Sequence, residues 1–174
     1  MKARQILILM AASLALFSCG GGGGSDTSFI GAARVSLQVE PTKIDPGDRM
    51  QVRVAIEEVH ENGIALKIRF PEGLAYVLNS SFLTVNGNES DESPEFNVSD
   101  SNDNFLVYFL PQDIFGSKDS GELVFELEGT SEVSTGKVEV DADVDDPLVA
   151  NGEEFLVDTP EFGAEDSVDV EVID

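Results

Sequence analysis

Apolar and polar residues alternate with a period of two along most of the chain after residue 32, which is typical of strands with one buried face. Glycine, proline and asparagine separate the alternating runs, as in the turn sequence Asp45-Pro46-Gly47-Asp48. The clearest runs are 35–39, 50–56, 64–70, 123–127, 138–144 and 168–172. We therefore predict an all-β fold, an antiparallel sandwich of about eight or nine short strands.

The run from Phe105 to Leu110 differs from the others because it is apolar at consecutive positions. This pattern predicts a strand that is covered on both faces. The side chains that we expect to be mostly buried are Leu66, Ile68, Phe70, Phe105, Val107, Phe109, Leu123 and Phe125.

The first 18 residues have a different pattern, a basic start followed by an apolar run from Ile6 to Phe17. Twelve residues are too few to cross a hydrocarbon core of ~30 Å as a helix. The order of these features is typical of a secretory signal peptide. A buried N-terminal helix is the alternative, but the five glycines from Gly20 would detach it from the rest of the chain.

The only cysteine, Cys19, ends the sequence Leu16-Phe17-Ser18-Cys19. This segment resembles the lipobox of bacterial lipoproteins in its leucine, its small residue before the cysteine and its following glycine, whereas Phe17 is bulkier than the usual residue. The resemblance implies that residues 1–18 are removed and that Cys19 carries lipid, which makes the membrane a partner. Two or more acyl chains anchor a protein stably. Glycine after the cysteine favours the outer membrane of a bacterial cell envelope over the inner one.

These features divide the chain into three parts. We predict a lipoprotein signal peptide at 1–18, a lipid anchor with a glycine-rich linker at 19–32, and one sandwich domain at 33–174. The linker has no apolar pattern and is flexible in composition.

The chain is strongly acidic, with 34 acidic and 10 basic residues and a formal net charge of −24. Nucleic-acid binding depends on neutralising phosphates with lysine and arginine, so this composition excludes nucleic acid as a partner. Attraction to an anionic membrane through surface charge is excluded for the same reason.

One long segment, from Ile44 to Gly87, resembles an Ig-like repeat of bacterial surface proteins, a family known as a domain of unknown function. The likeness extends roughly over residues 35–174, although Lys118-Asp119-Ser120-Gly121 departs from the family's usual Pro-Gly-Glu. It implies an Ig-like fold and a cell-surface setting, with no catalytic residues to transfer. The matching residues are Pro46-Gly47-Asp48, Phe70-Pro71-Glu72-Gly73-Leu74, Tyr76-Val77, Asn79-Ser80 and Asn86-Gly87. A weaker likeness to cohesin modules rests on the Pro-Gly-Asp turn and implies protein docking.

Residues that could carry catalysis are few. His60 is the only histidine and lies in a predicted turn, and no Gly-x-Ser-x-Gly motif or metal-binding histidine pair occurs. With Cys19 lipidated, no thiol nucleophile remains. We therefore expect no enzymatic activity.

Acidic residues supply the candidate cation sites. Asp100 and Asp103 lie in a polar turn, and Glu139, Asp141 and Asp143 alternate along one face of a predicted strand. Their oxygen atoms are the ligands that calcium prefers, so calcium is the candidate cofactor and Asp100, Asp103, Asp141 and Asp143 are its candidate ligands. The alternative is that the acids form a solvated outer face.

Taken together, these features predict a lipid-anchored, non-enzymatic cell-envelope protein that binds an unknown protein or surface partner. The alternative is a carbohydrate-binding or enzyme-accessory protein, with cohesin-like docking as one form. Against sugar binding, the chain has no tryptophan and only two tyrosines, Tyr76 and Tyr108.

Overall fold

The computed structural model describes residues 32–99, 102–142 and 162–173, and these form two six-stranded sheets. The first sheet contains, in spatial order, β1 (Arg34–Glu40), β3 (Arg49–Glu57), β10 (Gly121–Gly129), β6 (Phe82–Val85) and β7 (Asn88–Asp91), with β5 (Leu74–Tyr76) also pairing with β10. The second contains β2 (Lys43–Ile44), β12 (Asp166–Val172), β11 (Val133–Asp141), β4 (Ile64–Pro71), β9 (Asp103–Leu110) and β8 (Phe96–Ser99). Between β9 and β10 lie two single turns of 3-10 helix, Gln112–Ile114 and Gly116–Lys118.

The strand order contains the arrangement of an immunoglobulin sandwich. In the first sheet β1, β3, β10 and β6 take the places of strands A, B, E and D, and in the second β4, β11 and β12 take those of C, F and G. The second sheet also contains the antiparallel pair β8–β9, which an immunoglobulin sandwich of seven strands lacks. Strand β9 pairs with β4 on the side away from β11. The all-β sandwich is therefore confirmed.

The number of strands is larger than predicted. Twelve strands occur in the described chain, and the extra ones include β2, β5 and β7, which have two to four residues each. Such short strands contain too few residues to show an alternating run of their own. One pairing, β2 with β12, is parallel.

The core lies between the two sheets and is built by the inward faces of the long strands. In β1 and β3, buried residues alternate with exposed or half-buried ones, as the period of two predicts. Antiparallel pairing then sets Val52 opposite Phe125 and Val54 opposite Leu123 across β3 and β10. All four of these side chains are fully buried.

Of the eight predicted core residues, seven are buried and Phe109 is only half-buried. The inward face of β9 carries Leu106, Tyr108 and Leu110, which belong to the main core. Phe105, Val107 and Phe109 therefore lie on the outer face of the second sheet. The prediction that this strand is apolar and covered on both faces is right, and Phe109 is the one residue of the eight that is buried only in part.

The turn Glu61-Asn62-Gly63 places the start of β4 beside the end of β9. Gly63 has φ +82°, and a Cβ atom there would collide with the carbonyl oxygen of Leu110. Only glycine fits this conformation and this approach without strain. The turn therefore lies close against the end of β9.

Several predicted features fall outside the described residues. These are the signal peptide, Cys19, the linker up to residue 31, Asp100 and Asp143. Within the part of the chain that is described, no helix is long and apolar enough to span a bilayer.

Candidate functional site

The acidic residues on β11 lie opposite basic residues on β4. Register places Glu139 across from Arg69 and Asp141 across from Lys67. The Arg69 Nε atom donates a hydrogen bond of 2.7 Å to Glu139 Oε2, and Arg69 Nη2 lies 2.6 Å from the same oxygen. Two opposite charges at directly paired positions stabilise a sheet.

Asp141 is fully buried and accepts a hydrogen bond of 2.7 Å from the backbone N–H of Gly163. The alternative of a solvated outer face is therefore wrong for Glu139, whose side chain is 17% exposed, and for Asp141, which is buried. The physical reason is that β4 presents its basic residues at the same spacing. Each acid consequently has a cation directly across the strand boundary.

An aromatic ring covers this charged patch. Phe162 lies over both cations, with 4.4 Å from its ring centroid to the Arg69 guanidinium carbon and 5.6 Å to Lys67 Nζ. Lys67 Nζ also lies 5.1 Å from the centroid of the Phe105 ring. Cations at these distances are attracted to the negative faces of aromatic rings.

These six residues form what we call the outer-face cluster: Lys67, Arg69, Phe105, Glu139, Asp141 and Phe162. Backbone bonds reinforce it, since Glu165 N–H donates to the Val140 carbonyl at 2.9 Å. Lys67 is fully buried inside it, which is rare for a lysine. The cluster therefore ties the chain at 162–165 to the outer face of the second sheet and plays a structural part.

Of the four candidate calcium ligands, the two that the structure describes lie apart from each other. Asp141 lies opposite Lys67, whereas Asp103, at the start of β9, lies opposite Pro71. The two β4 positions are four residues apart, which corresponds to roughly 13 Å along a strand. Over the described ranges, no three histidine, cysteine, aspartate or glutamate side chains are arranged to hold a metal ion.

We expect calcium to raise the melting temperature no more than sodium does at equal ionic strength. Glu139 and Asp141 already face Arg69 and Lys67, so screening is the main effect left for added cations. Thermal unfolding in matched sodium chloride and calcium chloride checks this. Calcium-specific stabilisation that disappears in Asp141→Asn would contradict it.

A hydrogen-bonded chain of hydroxyls is a second polar feature, which sequence analysis missed. The Ser81 hydroxyl lies 2.8 Å from the hydroxyl of Tyr76 and 2.8 Å from that of Tyr108. Ser81 and Tyr108 are buried. A serine nucleophile requires a basic partner, and Ser81 is bonded to two phenols instead. The sole histidine, His60, is exposed, and its Nδ1 atom accepts a hydrogen bond from Asn62 N–H.

Burial raises the pKa of the Tyr108 phenol far above its ordinary value, against a smaller lowering by the Ser81 hydrogen bond. We therefore expect Tyr108 to stay protonated in the folded protein while a tyrosine in the unfolded chain ionises near pH ~10. A raised pKa in the folded state means that stability is complete below pH ~10 and falls as the pH rises above it.

Phenolate absorbance during an alkaline titration checks this expectation. The wild-type protein should release one tyrosine proton only as it unfolds, and Tyr108→Phe should remove that step. Ionisation of Tyr108 in the folded state near pH ~10 would contradict the expectation.

The outer face of the first sheet also carries paired charges. Arg49 lies 2.8 Å from Glu126, Arg53 lies 3.1 Å from Glu122, and Arg34 lies 2.7 Å from Glu58. These pairs are solvent-exposed and each contributes little to stability. Unlike this face, the segment 70–117, which contains β5 to β9, has no lysine, arginine or histidine.

No protein-family model matches the chain, and no curated protein matches it in sequence. Among solved structures it is similar to the T6 backbone pilin of Streptococcus pyogenes, with 11% identity, a TM-score of 0.49 and coverage of 80% of this chain and 36% of the pilin. It is also similar to the N-terminal domain of a Streptococcus gordonii adhesin, with 12% identity, a TM-score of 0.48 and coverage of 80% of this chain and 32% of the adhesin domain. A third similar structure is a cohesin module from a Clostridium perfringens glycoside hydrolase, with 12% identity, a TM-score of 0.37 and coverage of 82% of this chain and 97% of the module.

The chain thus spans about a third of the length of the first two structures. At TM-scores below 0.5 and identities near a tenth, these similarities assign neither a family nor an activity to the chain.

Proposed function

We propose that this chain is a lipid-anchored, non-enzymatic protein of the bacterial cell envelope whose β-sandwich serves as a binding or assembly module. The observation that carries the proposal is how the described sandwich uses its polar groups. The outer-face cluster and the Tyr76–Ser81–Tyr108 chain hold strands and loops together. The described sandwich also ends in edge strands, among them β7, whose four residues are all exposed.

The anchoring part of the proposal rests on the sequence before the sandwich. The lipobox-like residues 16–19 precede a glycine-rich stretch, and β1 begins at Arg34. The Gly/Ser-rich part of the linker, residues 20–28, has nine residues and spans ~15–18 Å on average, enough to hold a folded body just off a membrane surface. We propose that the anchor lies in the outer membrane because Gly20, and not an acid, follows Cys19.

Carbohydrate binding has less support. Sugars stack on exposed aromatic faces, and neither tyrosine supplies one. Tyr108 is fully buried, and Tyr76 is half-buried with its ring against Phe125. The binding partner that we favour is therefore a protein.

Replacing Cys19 by alanine tests the anchoring directly. We expect Cys19→Ala to accumulate with residues 1–18 attached and to carry no lipid, because the residue that accepts the lipid is missing. Cell fractionation and labelling with a radioactive fatty acid are the measurements. Ser28→Ala, in the linker, is the matched control and should behave as wild type. Lipid labelling of Cys19→Ala equal to that of wild type would contradict the proposal.

A further inference from the structure

The edge strand of the second sheet, β8, pairs with only part of its neighbour β9. This strand pairs with residues 104–107 of β9, whereas β9 continues to Leu110. The backbone of residues 108–110 therefore faces no strand of the described chain on its β8 side, and we call it the β9 edge. Because alternate residues of a strand bond to opposite sides, it is Phe109 that directs its N–H and C=O to this side. An unpaired strand edge is a ready template for another extended segment.

At the β9 edge, the side chain of Glu95 accepts a backbone hydrogen bond that a neighbouring strand would otherwise accept. Phe109 N–H donates a hydrogen bond of 2.9 Å to the carboxylate of Glu95, and Glu95 N–H donates one of 2.8 Å to the Val107 carbonyl. Glu95 thus satisfies the backbone amide that a neighbouring strand would otherwise bind. A neighbouring strand could replace the Glu95 carboxylate as the acceptor for Phe109 N–H, because the flexible Glu95 side chain can move away.

Apolar surface adjoins the β9 edge. A depression of about 270 Å³ is lined by Asn62, Ile64, Phe109, Leu110 and Pro111. On the same outer face, the rings of Phe96 and Phe109 pack edge to face, with centroids 6.0 Å apart, and both are half-buried. These groups offer a contact for an apolar side chain of a docked segment.

The chain segment that carries the β9 edge is acidic, although Lys67 on β4 lies opposite Val107. Segment 70–117 contains no basic residue, and Glu92 and Glu95 lie beside β8. Burial raises the pKa of the Glu92 carboxyl, hydrogen bonding from Ser93 N–H lowers it, and the charge of Glu95 raises it further. A docked segment that carries lysine or arginine would relieve this repulsion.

We propose that the β9 edge binds an extended segment of a partner protein in which apolar residues alternate with lysine or arginine. The segment adds a strand along residues 108–110, and its carbonyl takes over the Phe109 N–H from Glu95. Its apolar side chain enters the depression, and its cation pairs with the released Glu95 carboxylate. Backbone bonds supply affinity and side chains supply selectivity, as in other cases of strand addition. The inference rests on the proposed binding function and names the class of partner.

A second copy of this chain is a poorer occupant. Its net charge is −24, so two copies would bring acidic edges together.

The edge strand β1 is less suited to docking than the β9 edge. Its Leu37 N–H donates to the Asp166 carboxylate at 2.8 Å, but Asp166 belongs to β12 and joins the two sheets there.

A peptide of four Lys-Val repeats with a fluorescent label is the probe, and anisotropy with the mature lipidated protein in a neutral detergent is the readout. We expect saturable binding, and no binding of a Glu-Val peptide or of a Lys-Val peptide with N-methylated alternate amides. Glu95→Gln keeps an oxygen that can accept from Phe109 N–H but removes the charge, and it should weaken binding roughly fivefold. Phe109→Ala should weaken it by a similar factor.

Glu132→Gln is the matched control, since Glu132 is exposed in the turn before β11, at the opposite end of the sandwich. It should bind the peptide as wild type does. Equal affinities of Glu95→Gln and Glu132→Gln, or strong binding of the N-methylated peptide, would overturn the proposal. Sedimentation that shows a dimer lost in Glu95→Gln would also overturn it, in favour of a second copy as occupant. Failure here leaves lipid labelling of Cys19 unchanged, so the two proposals fail separately.

Discussion

Phe125→Ala is expected to lower the free energy of unfolding by about 3–5 kcal/mol. Phe125 is fully buried on β10, at the centre of the core. Its ring centroid lies 6.3 Å from that of Tyr76 and 6.4 Å from that of Tyr108. Truncation therefore removes contacts with both sheets and leaves a cavity that the surrounding strands cannot readily close.

Urea denaturation followed by circular dichroism measures this loss, and Phe109→Ala is the comparison. Phe109 is half-buried on the outer face of the second sheet, so its truncation should cost only about 1 kcal/mol. Equal losses in the two variants would show that the inward and outward faces of β9 have been assigned wrongly.

Asp141→Ala is expected to cost a similar amount, about 3–5 kcal/mol, because it removes one of two buried, oppositely charged groups that lie across from each other in the sheet. Asp141 and Lys67 are both fully buried and lie directly opposite each other on β11 and β4. The substitution leaves the buried Lys67 without the carboxylate that lies opposite it on β11. It also removes the acceptor for Gly163 N–H.

A double-mutant cycle separates the charge effect from lost packing. Lys67→Met with Asp141→Ala buries neither charge, so the double variant should be more stable than the sum of the single losses predicts. We expect a coupling energy of at least about 1 kcal/mol. Strictly additive losses would contradict the pairing of these two residues.

The fold class follows from local pattern, whereas the pairing of strands does not. A period of two and regularly spaced turn residues predict a sandwich because each strand must bury one face. In β9 a period of two does not select the buried face, since Leu106 and Tyr108 are as apolar as Phe105 and Val107. Which set points inward depends on the register with β4.

The same limit explains the acidic residues of β11. Alternation correctly places Glu139 and Asp141 on the outer face, away from Val138 and Val140. Their exposure depends on Arg69 and Lys67, some 70 residues earlier in the chain, and on Phe162, which covers both cations. Contacts between residues so distant in sequence leave no local signal. The β9 edge escaped prediction likewise, because it depends on where β8 ends beside β9.

The most direct test of the central proposal, a folded sandwich held at a membrane by lipid on Cys19, is intact-mass spectrometry of the protein extracted from bacterial membranes. We predict a chain that begins at Cys19, lacks residues 1–18 and carries the added mass of a diacylglyceryl group with or without a further acyl chain. A chain that retains Met1, or one that begins elsewhere with an unmodified Cys19, would contradict it.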